Sequence, residues 1–462
     1  MSTSLSRRKV LQGIGLGAVS LAASQEATSK DKPACKPNIL MIFSDQQHWR
    51  AMGCEESFFK TPNLDAFAKD SVVFGRSFCS TPQCSPSRSS LLTGLYPSKT
   101  GVMGNMGAAG GTPLHQPTIG AMLQKGGYRT GYFGKWHLGK SVIATAGWDG
   151  GYVPKINDPA TTEAGLEFLA ESGKPGQPFA LFLSYNNPHD IYHFARHEVA
   201  DDAGKIPLPK SWAAEDFDTK PAVHEQFMTD DQGKVIHGKK EALWRQYRDC
   251  YRAKTALYDG HVGKVLGELK KRGLLESTIV IVTSDHGDMD AHHRLIYKGP
   301  FMYEQMVRVP LMIRVPKAFG GVGVRRVEDM DVVNVDIVPT ILDFCGLAPI
   351  TCDGLSLKPT LTGESGQSKR EFVISQYYSK QRWVNPIRMI RTARYKYNRY
   401  IRHGEELYDL VNDPNEIVNL ADDPKYAKVK ADLAGKLDNW IKQNNDPFDS
   451  LESTTRRGKQ LT

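Results

Sequence analysis

The chain predicts an α/β fold: a large, doubly wound and mostly parallel sheet flanked by helices, with a smaller C-terminal α+β subdomain made of an antiparallel sheet and a helix. Three observations carry this. Four continuous apolar runs of strand length each end in a polar cluster, as strands buried on both faces do. Segments with helical spacing alternate with them, as the crossovers of a parallel sheet require. Near Gly363-Glu364-Ser365-Gly366 the composition turns polar, and beyond it the runs become short and alternating.

Taken in order, residues 1–27 read as a signal peptide. Ser6-Arg7-Arg8-Lys9-Val10-Leu11 precedes a weakly apolar stretch, Gly13 to Ala23, that is too short to span a bilayer. The paired arginines resemble a twin-arginine export signal, with an ordinary secretory signal as the alternative. The expected location is therefore periplasmic or extracellular, with no stable membrane span. Cleavage between Ala22 and Ala27 would remove three cations and lower the formal charge from +8 to about +5. Such a mild excess, without a dense basic run, argues against a nucleic-acid partner. Seven cysteines are too few for a disulfide scaffold in a chain of 462 residues, although Cys345 and Cys352 are close enough in sequence to form a local bridge.

The first apolar run, residues 37–43, leads into Ser44-Asp45-Gln46-Gln47. The second, 128–133, leads into Gly134-Lys135-Trp136-His137, and the third, 179–185, into Asn186-Asn187-Pro188-His189. The fourth, 278–283, ends in Ser284-Asp285-His286-Gly287-Asp288. Ligands of open α/β sheets bind outside the carboxyl ends of the strands, so Asp45, Lys135, His137, His189, Asp285 and His286 are expected to share one site. One aspartate after a strand is usually a cap or turn residue. Four clusters in phase with strand ends are not explained that way.

Helical patterns fall at 118–123, 161–169, 241–271 and 336–344, and residues 310–315 form a further strand. The long helix places Val262, Val265, Leu266 and Leu269 on one face and stops at Gly273. Residues 191–240 are polar and lack a clear period, and are expected to be a substrate-side loop. After the catalytic domain, 36–363, the C-terminal subdomain spans 364–445. Its short strands fall at 371–376, 383–391 and 395–402, and its helix at 427–441. A flexible tail is expected over 446–462.

Cys84-Ser85-Pro86-Ser87-Arg88 joins a nucleophile, a cation and a helix start. Ser85 suits a cap, Pro86 the first helical position, and Gly94 a left-handed stop. Cys84 would then precede a helix N-terminus, where an anion is favoured, with Arg88 one turn in. A buried cysteine beside a surface arginine is the plainer alternative. A thiolate phosphatase would need a longer loop between Cys and Arg. The surrounding residues supply what ester cleavage at a tetrahedral oxyanion needs. Asp45 and Asp285 are hard oxygen ligands for a divalent cation, with an amide oxygen from Gln46 and a nitrogen from His286. Lys135, His137 and Lys298 suit the anion's oxygens, and His189 suits proton delivery to the leaving group.

This C-x-P-S-R stretch resembles the signature of the type I sulfatases, a family of the alkaline phosphatase superfamily. The family's Asp-Gln, Gly-Lys-x-His, Pro-His and Ser-Asp-His-Gly elements, and a later lysine, follow in order from Asp45 to Lys298. Tyr303-Glu304-Gln305 with Arg308-Val309-Pro310, and Glu406-Leu407-Tyr408-Asp409-Leu410 with Asp413-Pro414-Asn415-Glu416, extend the likeness over nearly the whole mature chain. The resemblance implies that a formylglycine-generating enzyme oxidises Cys84 to formylglycine (3-oxoalanine), whose hydrated aldehyde is the nucleophile. It further implies a calcium ion held by Asp45, Gln46, Asp285, His286 and the modified Cys84. Arg88 would hold the formylglycine hydroxyls, and Lys135 and Lys298 the sulfate. His189 would be the general acid, and His137 would deprotonate the second hydroxyl. The sequence departs from the usual calcium set at His286, where asparagine is commoner, so His286 is also a candidate for facing sulfate.

The expected function is an exported sulfatase acting on a sulfate ester, with a sulfated polysaccharide or other carbohydrate as substrate by export and family analogy. Two alternatives stand beside it: a phosphonate monoester or phosphodiester hydrolase of the same superfamily, and a catalytically silent module that binds sulfated glycans. Asp288, Asp290, His292 and His293 could add metal ligands, but are read as a polar loop with His292 or His293 lining the substrate pocket. His115, Trp148, His193 and His261 are possible sugar contacts.

Overall fold

Each of the four apolar runs becomes a strand, and all eight residues of the first, Asn38–Asp45, are buried. The structure is a computed structural model that describes residues 36–139, 141–142, 147–151, 157–174, 176–197, 205–365 and 369–458; the expected leader lies outside the described residues. In chain order the strands are β1 (Asn38–Asp45), β2 (Val72–Phe74), β3 (Ser77–Phe78), β4 (Arg129–Gly134), β5 (Phe179–Pro188), β6 (Thr278–Ser284), β7 (Leu311–Arg314), β8 (Arg325–Val327), β9 (Val332–Val333), β10 (Val373–Lys380), β11 (Trp383–Arg391), β12 (Tyr395–Tyr400) and β13 (Glu405–Asp409).

Seven strands form the main sheet in the order β4-β5-β1-β6-β7-β2-β8. β4, β5, β1 and β6 run parallel and adjacent, so their carboxyl ends open on one edge. β7 is antiparallel to both β6 and β2, which makes the sheet mixed beyond β6. Side chains alternate between two cores, as the period of two requires. Ile39, Met41 and Phe43 pack with Leu91, Leu92, Ile119 and Ile337 on one face. Leu40 and Ile42 pack with Phe168, Val262, Val265 and Leu269 on the other. Helices therefore cover both faces, as the doubly wound reading requires. The long helix is Glu241–Lys271, and Gly273 takes the left-handed conformation (φ 69°) just beyond it.

A second sheet, β10-β11-β12-β13, is antiparallel. One face packs under helix Ala427–Gln443 through Ile374, Ile390, Leu407, Leu433 and Leu437. The other face, with Tyr377, Ile387, Met389 and Tyr408, shares a core with Tyr303, Met306 and Val307 of the main domain.

Several expectations are corrected. The helix placed at 161–169 starts earlier, at Asp158, because Asn157 caps it by accepting from the Ala160 N–H at 3.1 Å. Thr161 and Thr162 lie inside its first turn and bond back to the carbonyls of Asn157 and Asp158. The region at 191–240 contains the short helices Lys210–Ala214 and Ala222–Asp230. The segment from Asp446, expected to be a flexible tail, is anchored at its start: Asp446 pairs with the fully buried Arg388 at 2.6 Å and Phe448 is buried, while Pro447, Asp449, Ser450 and Arg456 to Gly458 are exposed. Cys345 and Cys352 are free thiols, Cys345 lying in the main core and Cys352 bonding its sulfur to the Gly354 carbonyl at 3.8 Å.

Candidate active site

The helix carrying Cys84 and Arg88 spans Cys84–Thr93 and ends at Gly94 in the left-handed conformation (φ 74°). Its start differs from the expectation. Cys84 is the first helical residue, and the Ser85 hydroxyl is turned aside to accept from the Met106 N–H at 3.1 Å. Every residue of this helix is buried. The Ser87 hydroxyl donates to the Asp285 carbonyl at 2.5 Å, and Asn334 donates to Ser87 at 2.9 Å, which locks the helix against the end of β6.

The strand ends deliver the expected residues to Cys84. Asp45 is the last residue of β1, and Asp285 and His286 follow β6 directly. Lys135 and His137 follow β4, and His189 follows β5. Around the Cys84 sulfur, Lys298 Nζ lies at 2.8 Å, His286 Nε2 at 3.2 Å, Asp45 Oδ1 at 3.6 Å and Lys135 Nζ at 3.9 Å. Burial pushes this thiol up, but Lys135, Lys298 and His286 outweigh it, and together with a hydrogen bond from His137 they hold it well below its ordinary value. The site is built to carry a negative charge at the position of that sulfur.

Arg88 has partners that no sequence signal marked. Its Nε donates to Asp285 at 2.9 Å and its Nη2 to Asp45 at 3.1 Å, while Nη1 donates to the Lys135 carbonyl and the Ser184 hydroxyl, both at 2.6 Å. It therefore clamps both carboxylates and the end of β4 with one rigid fork, a geometry that only a guanidinium supplies. Lys135 pairs with the same Asp45 oxygen, Oδ2, at 2.5 Å. Burial and the Cys84 charge push the Asp45 carboxyl up, but Lys135, His189 and Lys298 overcome them and hold it below the usual carboxylate range.

The ligand atoms of Asp45, Cys84, Asp285 and His286 all lie within 4.8 Å of one another. His286 donates Nδ1–H to the Gly287 carbonyl at 2.8 Å, which turns Nε2 toward the cluster. Gln46 has a positive φ of 73° and donates its amide N–H to Asp288 at 2.7 Å, so that Oε1 turns inward. The Lys298 ammonium sits among these groups, 2.9 Å from Gln46 Oε1, 3.0 Å from His286 Nε2 and 4.0 Å from Asp45 Oδ1. A carboxylate, an amide oxygen and an imidazole nitrogen thus already surround a positive charge, and with Asp285 beside them their chemistry fits a divalent cation.

A cavity of about 290 Å³ adjoins the cluster, with His137, His189 and Lys298 in its wall. His137 is held at positive φ (59°), and its Nδ1 is buried without a hydrogen-bond partner among the described residues. Burial, and then Lys135, lower His189 to about 4.

Other expectations resolve differently. Asp288 orients Gln46, and Asp290 pairs with Arg248 at 2.8 Å, so both lie beside the candidate metal cluster and outside it. His293 stacks on Tyr303 and bonds Glu215 at 2.7 Å, and neither it nor His292 lines this pocket. Trp148 is buried against Tyr132 and Phe182, and His261 stacks on Tyr185, while His115 and His193 are exposed away from the pocket lining. Lys380 and Gln381 at the end of β10, Tyr192 and Gln232 from the 191–240 region, and Asn105 do line it. No strand-end signal marked them, but the presence of Tyr192 and Gln232 agrees with a substrate-side role for that region.

Comparison with known proteins adds the following. A family model described as Sulfatase matches residues 37–347, and one described as N-sulphoglucosamine sulphohydrolase, C-terminal, matches residues 292–443. The chain is 31% identical over 448 residues to a Delta 4,5-hexuronate-2-O-sulfatase of Bacteroides thetaiotaomicron, covering 90% of this chain and 91% of the relative. A solved 2-O GAG sulfatase superposes with a TM-score of 0.81 at 29% identity, covering 91% of this chain and 95% of that one. A phosphonate monoester hydrolase of Agrobacterium radiobacter shares the fold, with a TM-score of 0.72 at 24% identity over 92% of this chain and 99% of that one. With the family model spanning most of the chain and the motif residues brought together around Cys84, this protein belongs to the type I sulfatase family of the alkaline phosphatase superfamily and is a sulfuric ester hydrolase.

Proposed function

We propose that the protein removes a sulfate ester from a carbohydrate, using formylglycine made from Cys84 and a bound calcium ion, and that it is exported to do so. The observation that carries the reading is the convergence on the Cys84 sulfur of Lys298, His286, Asp45 and Lys135, all within 3.9 Å. In that reading the sulfur marks the position of a formylglycine oxygen. The hexuronate sulfatase likeness supports a sugar substrate, and the paired arginines of the leader support export.

Formylglycine would supply an oxygen nucleophile and calcium would lower its pKa, with Asp45, Gln46, Asp285 and His286 holding the ion. Arg88 keeps both carboxylates in place. Lys135 and Lys298 neutralise the sulfate oxygens, and their charge grows in worth inside the water-poor pocket. His189 gives the leaving alcohol its proton. It is held near 4 by burial and Lys135, so an anion arriving between the lysines raises its pKa and couples protonation to substrate binding. His137, with Nδ1 uncommitted, takes the proton whose loss releases sulfate.

Peptide mapping of Cys84 tests the nucleophile: an aldehyde in place of the thiol is expected, and a native preparation carrying only free thiol there refutes it. Turnover of an aryl sulfate should exceed that of matched aryl phosphonate and phosphodiester substrates. A reversed preference would transfer the chain to the phosphonate monoester hydrolase reading. Binding of sulfated glycan without any turnover would favour the silent module.

A further inference from the structure

A second cavity, of about 560 Å³, lies behind the metal-ligand loop and shares no lining residue with the catalytic pocket. Its volume is that of a small-molecule site rather than of a packing defect. Its wall holds five cations, Arg50, Lys210, Arg248, Arg308 and Arg391, against the two carboxylates Glu56 and Glu304. Both carboxylates are already engaged. Glu304 pairs with Arg391 at 3.0 Å and Arg308 at 3.2 Å, and Glu56 with Arg248 at 3.1 Å. Arg50 and Lys210 make no ion pair among the described residues and stand on different segments of the wall, Arg50 after β1 and Lys210 at the start of helix Lys210–Ala214.

Trp49 lies against two guanidinium groups, Arg308 at 3.7 Å and Arg50 at 5.2 Å from its ring centre. Trp49 Nε1, Arg50 Nε and Arg308 Nε are buried without an acceptor among the described residues. Arg248 and Arg391 also pair with carboxylates beyond the wall, Asp290 at 2.8 Å and Asp331 at 3.6 Å, so Arg50 and Lys210 carry the positive charge that matches the cavity to a ligand rich in oxygen acceptors.

We propose that this cavity is a second oxyanion site, which takes a sulfate or carboxylate group of an acidic saccharide separately from the catalytic pocket. The saccharide class rests on the proposed function. The oxyanion chemistry does not, and a free inorganic sulfate would share it. The volume, well beyond a single tetrahedral ion, favours the saccharide.

The experiment is calorimetric titration of the full-length Cys84→Ala protein with a size-defined sulfated glycosaminoglycan tetrasaccharide, with its desulfated, carboxyl-reduced counterpart, and with sodium sulfate. The same titrations are run on Cys84→Ala carrying Arg50→Ala and Lys210→Ala. Two tetrasaccharides per chain are expected, falling to one when Arg50 and Lys210 are removed, with no binding of the uncharged counterpart at this site. Sodium sulfate alone filling the Arg50-dependent site would assign it to the free ion and overturn the saccharide part. One tetrasaccharide per chain in both proteins would overturn the site itself. In the enzyme with Cys84 intact, the Arg50→Ala, Lys210→Ala variant should keep aryl sulfate turnover within about twofold. A parallel loss of turnover would mean that these residues support the metal loop and no ligand. Absent aryl sulfate turnover in the unaltered enzyme would count against the proposed function and leave the Arg50-dependent titration to be read independently.

Discussion

Arg88→Ala tests the electrostatic frame of the site. Arg88 is fully buried between Asp45 and Asp285, themselves fully buried. The two carboxylates do not lose equally. Asp45 keeps Lys135 at 2.5 Å, whereas Asp285 keeps the longer His286 ion-pair contact, at 3.7 Å, and the backbone N–H groups of Gln46 and His286 at 3.1 and 2.8 Å. The backbone loses little, because the Lys135 carbonyl still accepts from Ser184 at 2.8 Å and Tyr132 at 2.7 Å. The cost is therefore that of one broken buried pair, about 3–5 kcal/mol. A divalent cation bound by the same carboxylates supplies part of the missing charge, so saturating calcium should recover some of the loss. Arg88→Lys should recover less than its charge suggests, since one ammonium cannot span two carboxylates. Denaturant unfolding with and without calcium measures all three effects. An Arg88→Ala protein within about 1 kcal/mol of the parent, a shift on the scale of an exposed pair, would refute the assignment of Arg88 as the clamp.

Three further outcomes are expected. His224 is buried between Tyr400 and Tyr303, and burial lowers it to about 4. The unfolded chain protonates this histidine near 6.5 and the folded one only near 4, so its contribution to stability is intact above pH 6.5 and falls as pH drops towards 4, by up to about 3 kcal/mol. His224→Gln should flatten the stability profile over that window by a comparable amount, and an unchanged slope would contradict the shift. Asp446→Ala strips Arg388 of its carboxylate and should cost about 3–5 kcal/mol in unfolding experiments; a neutral result would restore the flexible-tail reading. Chelation should lower thermal stability reversibly. Adding calcium at about a thousand times its dissociation constant should return roughly 4 kcal/mol, and a melting curve indifferent to chelator would remove the metal from the proposal.

The residues of the candidate site were legible because a parallel sheet converts sequence into place. An apolar run fixes a strand, the strand's direction fixes which end is open, and a polar cluster after the run must then lie at that end. Asp45, Lys135, His137, His189, Asp285 and His286 obey this rule, and the adjacency of β4, β5, β1 and β6 brings them together. Pairing was less legible than position. Arg88, expected to hold the formylglycine hydroxyls, also spans both carboxylates, a pairing no sequence signal marked, because a buried guanidinium with two aspartates in reach takes the partners that offset its desolvation. Short strands such as β3 and β9, of two residues each, are set by neighbours and carry no periodic signal.

Lys380 shows where such reading stops. It closes β10, about 300 residues from Cys84 in sequence, in a sheet whose own pattern says nothing about the catalytic pocket. It reaches that pocket because one face of the second sheet shares a core with the main domain, and its ammonium donates to the carbonyl of Lys298, the residue that contacts Cys84. Burial lowers Lys380 to about 7, and the strand-end rule cannot see this lysine, which stands in the wall of the pocket beside Cys84. The chemistry is written at the carboxyl ends of the main sheet. The shape and charge of what may enter are set in part by a sheet that the chain adds afterwards.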